Sequence, residues 1–160
     1  MWAFRSLAAC VCALALAGAA NAARHAPAAV AACRSDVHTA VVPVWARAGF
    51  SDATPTMPLA LGASNRIVAI VFGNPLLSPP GKQRGNKILW VSRGPVQAMS
   101  DLRIRAQRMA GSHPVGPVVS RAVVGGPGPS IIDLPAAGCW RLSLRWSGRT
   151  DTLDLSYRPS

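Results

Sequence analysis

Residues 135–155 read PAAGCWRLSLRWSGRTDTLDL, two alternating segments that meet at Gly148-Arg149, a pair that suits a two-residue hairpin turn with glycine first. In the register set by that turn, Leu144 faces Leu153, Leu142 faces Leu155 and Trp140 faces Tyr157. The large apolar groups then gather on one side, which independently supports the pairing. On the other side Arg145 opposes Thr152, Ser143 opposes Asp154 and Arg141 opposes Ser156, leaving Asp154 diagonal to two arginines. One face is core and the other is solvent, so the segment belongs to a half-buried antiparallel sheet.

Working outward, Asp101–Gln107 alternates in the same way, with Leu102, Ile104 and Ala106 on one face and Arg103, Arg105 and Gln107 on the other. Arg66–Phe72 is a continuous β-branched run, which predicts a central strand buried on both faces. Lys87–Arg93, Val118–Val124 and Ser130–Leu134 read as further strands. Thr39–Trp45 is a strand that Pro43 confines to an edge or splits. Ser51–Pro58 reads as a loop, and Asn74–Lys82 as an irregular connection because Pro75, Pro79 and Pro80 cannot donate to a ladder. No helical period extends over eleven residues beyond the N-terminal segment. The expected fold is therefore all-β, an antiparallel β-sandwich, immunoglobulin-like in the loose sense, with a small β-barrel as the alternative.

The N-terminus, MWAFRSLAACVCALALAGAANA, places Arg5 before an apolar run that ends at Ala20-Asn21-Ala22, the pattern of a cleaved signal peptide. The run is too short to span a bilayer. The predicted organisation is a signal peptide over 1–22, a flexible lead-in over 23–38 and a β-sandwich domain over 39–160, with Ala23 as the mature N-terminus and no transmembrane span after processing. Of the four cysteines, Cys10 and Cys12 leave with the leader. Cys33 and Cys139 remain as the candidate disulfide of an oxidising compartment, one that stabilises by up to roughly 4 kcal/mol in the chain-entropy model. The competing reading is a lipid anchor, because Val30-Ala31-Ala32-Cys33 resembles a lipoprotein box. The expected location is thus secreted and extracellular, or membrane-anchored through Cys33.

Seventeen Lys and Arg against six Asp and no Glu give a formal charge of +11. Export makes nucleic acid an unsuitable partner, so a basic surface would meet an anionic envelope polymer, lipid headgroups or another envelope protein. A GC-rich coding sequence also produces this composition. Nucleophile elbows, zinc-protease helices, glycine-rich phosphate loops and paired C-x-x-C motifs are all missing from the sequence. Cys33-Arg34-Ser35-Asp36-Val37-His38 matches no standard zinc module. No catalytic, metal or cofactor residue is assigned. The candidate binding residues are Arg103, Arg105, Arg141 and Arg145, joined by Trp146 as the tryptophan expected at the surface. Trp90 and Trp140 read as core, and His113 as a solvated turn residue.

VWARAGFSD (44–52), NKILWVSR (86–93), DLRIRAQR (101–108) and the opening stretch resemble segments of uncharacterised secreted or envelope proteins of high-GC actinobacteria. The resemblance spans most of residues 41–158. It implies a β-sandwich and export, and brings no activity with it. Together these readings predict an exported, non-enzymatic interaction or structural module of the cell envelope. The alternative is a polyanion-binding module that uses its arginine-rich sheet faces.

Overall fold

The computed structural model describes residues 33, 37–82 and 84–160. The signal peptide over 1–22, the mature start at Ala23 and most of the lead-in lie outside the described residues. Ten strands form two five-stranded sheets: β1 (His38–Val41), β2 (Thr56–Leu61), β3 (Ile67–Val71), β4 (Leu76–Ser78), β5 (Lys87–Ser92), β6 (Leu102–Ala110), β7 (His113–Val123), β8 (Pro129–Ile131), β9 (Gly138–Trp146) and β10 (Arg149–Pro159). The first sheet runs β1-β2-β3-β5-β8 and the second β4-β10-β9-β6-β7. All pairings are antiparallel except β10 with β4, where Tyr157 pairs with Leu76. The protein is an all-β sandwich, with open sheet edges where a barrel would have closed. Among the described residues no helix is long and apolar enough to cross a membrane.

The alternating strands lay their apolar phase between the sheets. Leu102, Ile104, Leu142 and Leu144 from the second sheet meet Ile67, Ala69, Ile88 and Trp90 from the first. Burying each large aliphatic side chain contributes about 1.5–3 kcal/mol. β3 is buried along its whole length, as its unbroken β-branched run predicts. Its other face, Val68 and Ile70, packs with Leu59 beneath Val42 and Ala46 in a second, smaller core. The covering segment is the β1–β2 connection. Pro43 ends the extended chain there and a single 3-10 turn, Val44–Ala46, follows.

β2 and β4 depart from the sequence reading, in which Ser51–Pro58 is a loop and Asn74–Lys82 an irregular connection interrupted by prolines. Pro58 pairs only with Thr39 of β1, while the ladder from β2 to β3 covers Leu59 to Leu61, so the missing N–H interrupts nothing on the inner side. β4 is three residues of parallel pairing on the end of β10.

The β9–β10 turn is Ser147-Gly148, one residue earlier than expected. Both have positive φ, 44° and 71°, the backbone of a type I′ turn. Serine holds this conformation because its N–H donates to Ser100 Oγ at 2.7 Å and its Oγ accepts from Gln97 N at 3.0 Å. The pairing moves by two residues, to Arg145 with Thr150, Ser143 with Thr152 and Arg141 with Asp154. An even shift leaves every side chain on its expected face.

Cys33 and Cys139 are bonded, with Cα atoms 5.4 Å apart across a sequence separation of 106. The bond ties the segment before β1, in one sheet, to β9, in the other. A sulfur engaged this way cannot carry a diacylglyceryl thioether, so the lipid-anchor alternative gives way to the disulfide. Such a bond fits an extracellular protein.

Candidate functional site

The second sheet presents its polar phase outward, and register places the arginines in rows across it. Ala122, Arg103, Arg145 and Thr150 form one row; Ser120, Arg105, Ser143 and Thr152 form the next. In the third row Gln107 stands beside Arg141 and Asp154. All four predicted arginines therefore share one face of one sheet, with β6 directly paired to β9.

The four are electrostatically unequal. Arg141 donates to Asp154 through Nε at 3.0 Å and Nη2 at 3.1 Å, a two-pronged pair. That hydrogen bond, reinforced by the carboxylate charge, raises the Arg141 pKa above its ordinary value. Asp154 is buried, so Arg141 serves as a counter-ion and is the least available of the group. Asp154 faces it directly, a correction to the diagonal placement that followed from the later turn.

Arg103, Arg105 and Arg145 are exposed. Each extends without a hydrogen-bond or ion-pair partner among the described residues. Arg103 and Arg145 are direct cross-strand neighbours. Like charges opposed in this way cost a few tenths of a kcal/mol to about 1 kcal/mol, a cost that an anion lying between them removes.

The face is an open concavity of about 1310 Å³, in which the arginines stand among the hydroxyls of Ser120, Ser143 and Thr152. Guanidinium forks and hydroxyl donors, with the nearby carboxylates otherwise engaged, complement an oxyanion with several acceptor oxygens. Asp101, at the rim, accepts from Gly125 N at 2.9 Å. Asp151 lies in the apolar phase of β10 and is 5 % exposed. Its carboxylate accepts from Ser64 N at 2.9 Å, Arg66 N at 3.0 Å and Thr152 N at 2.8 Å. It thus fastens the β2–β3 turn to the second sheet. Gly62 makes room for it, since a Cβ there would sit 2.2 Å from Asp151 Oδ2.

Trp146 does not belong to this surface. It is 1 % exposed, and its Nε1 donates to Ser92 Oγ at 2.8 Å. Its phase is that of Leu142 and Leu144, so the alternation that buries them buries it, and its nearness to the turn was a poor guide to exposure. Trp90 and Trp140 are core as expected, donating to Ser130 Oγ and Ala136 O. His113 is exposed at the start of β7. Of the Cys33–His38 cluster, the Cys33 sulfur is in the disulfide and Asp36 lies outside the described residues. Among the described residues no three His, Cys, Asp or Glu gather to hold a metal.

Two features escaped the sequence reading. Asp151 shares a phase with Leu153 and Leu155, and a lone carboxylate in an apolar phase was the available signal. Met99 carried none, because it lies in a turn-rich segment without periodicity, and Val124 closes the expected Val118–Val124 strand, whereas β7 in fact ends at Val123.

Compared with known proteins, the chain matches no family model, no curated protein and no solved structure.

Proposed function

We propose that this protein is an exported, non-enzymatic interaction module that binds an anionic component of the cell envelope on the outer face of its second sheet. The observation that carries this reading is the cluster of Arg103, Arg105 and Arg145, three exposed guanidinium groups with no partner among the described residues. The one neighbouring arginine that has a carboxylate beside it, Arg141, is neutralised by it. An anion-binding face needs no catalytic group, and charge alone gives it a salt-dependent affinity. The leader sequence and the resemblance to envelope proteins support the location.

The test is retention on immobilised polyphosphate as salt is raised. The unmodified protein is expected to be retained at low salt. The triple variant Arg103→Ser, Arg105→Ser, Arg145→Ser should elute at markedly lower salt than Arg66→Ser, Lys82→Ser, Arg93→Ser, which removes the same formal charge elsewhere. Equal elution of the two variants would reduce the binding to net charge and reject the site.

A further inference from the structure

We infer that the anion bound on this face is the headgroup of an anionic lipid, and that Met99 and Val124 receive the adjoining apolar chain. The inference rests on the anion-binding reading above and adds an independent observation at the edge of the same face. Val124 follows Val123, which is buried opposite Leu102, and lies in the turn by which the chain leaves β7. It is 84 % exposed. Met99 lines the same concavity from the β5–β6 connection and is 87 % exposed. Two large apolar side chains thus stand in solvent at the end of the sheet where Leu102 pairs with Val123, Met99 within the concavity and Val124 in the turn beyond it.

Met99 is held there. Its φ is 59°, a left-handed conformation that glycine or asparagine adopts more readily than methionine. The flanking chain is braced from several sides: Gln97 N donates to Ser147 Oγ, Ser147 N donates to Ser100 Oγ, and Arg149 Nη1 donates to Pro95 O. Gly125 N donates to Asp101 Oδ1 on the other flank. The loop is therefore fixed to the β9–β10 turn and to the segment after β7, and it carries Met99 away from the core.

The chemistry along the face is graded. The Arg141–Asp154 end is neutral, the centre is cationic and rich in hydroxyls, and the Met99–Val124 end is apolar. A free polyanion complements the centre and gains nothing from the apolar end. A lipid with a phosphate-bearing headgroup complements both at once, because the headgroup oxygens meet the guanidinium forks while the first methylenes leave water against methionine and valine.

Vesicle sedimentation tests this, comparing phosphatidylcholine alone with equal parts phosphatidylcholine and phosphatidylglycerol. The disulfide-bonded protein should pellet with the anionic vesicles and stay in solution with the neutral ones. The double variant Met99→Asn, Val124→Thr keeps residues suited to both backbones. It should lose about tenfold in vesicle affinity while its elution from polyphosphate is unchanged. Vesicle binding equal to that of the unmodified protein would overturn the lipid inference and leave the anion-binding face standing. So would retention on polyphosphate without any binding to anionic vesicles. Failure on both polyphosphate and vesicles would reject the two readings together.

Discussion

The two sheets of the sandwich treat their outer faces in opposite ways. In the first sheet, Val68 and Ile70 of β3 point outward as apolar side chains and are covered by Val42 and Ala46 of the β1–β2 connection. Where that cover ends, Lys87 Nζ stands 5.3 Å from the ring centre of the half-exposed Phe72. In the second sheet, Arg103, Arg105 and Arg145 point outward and nothing among the described residues covers them. An apolar outer face demands a lid, because it gains free energy by leaving water. A guanidinium face stays open for the opposite reason, and so remains free to meet a ligand.

The contrast is broken most severely at the covered face. Ile70→Ala should cost about 2–5 kcal/mol in denaturant unfolding, as for other buried aliphatic truncations, while Arg105→Ser should stay within about 0.5 kcal/mol. Comparable losses at both positions would mean that the two faces are not distinct. Asp151 belongs to the open sheet yet acts inward, so Asp151→Ala should destabilise by about 1.5–3 kcal/mol through the loss of a charged acceptor for Ser64 and Arg66 N–H. Gly62→Ala should also destabilise by crowding the same carboxylate.

Tyr157 sharpens the comparison through pH. Burial raises its pKa above the ordinary value, and the charge of Asp133 adds to this against the opposing effect of Arg121. Its hydroxyl donates to Ile132 O at 2.6 Å, which requires the neutral phenol. The unfolded chain loses this proton from about pH 10 upward while the folded chain retains it. Stability is therefore full below pH 10 and falls above it, by up to about 1.4 kcal/mol per pH unit. Tyr157→Phe should flatten that alkaline slope, and a slope unchanged in the variant would assign it to other groups. The smallest effect is at the open face. Arg145→Thr should raise stability by a few tenths of a kcal/mol, because Arg103 loses its like-charged neighbour. Loss of stability there would show that the pair is not repulsive.

Much of this was legible in residue order. Period-two alternation in DLRIRAQ and in WRLSLRW settled which side chains are core and which are surface, and IVAIV identified the strand buried on both faces. The turn position was misread because Ser147 takes a conformation that only its partners Gln97 and Ser100, distant in sequence, stabilise. β2 was hidden because the sequence does not reveal that Pro58 faces only β1. Trp146 was misplaced when nearness to a turn outweighed its phase. That β6 and β9 are neighbours, which turns two arginine stripes into one face, depends on long-range pairing with no local signature.

The central claim is that one face of one sheet is where an anionic ligand binds. Backbone amide shifts of the disulfide-bonded protein during titration with soluble polyphosphate test it most directly. The account predicts that the largest shifts fall on the central rows, in residues 103–105, 120–122, 143–145 and 150–152, with little change along β1 and β3. Shifts spread over all exposed arginines, or centred on Arg66 and Lys82, would contradict it.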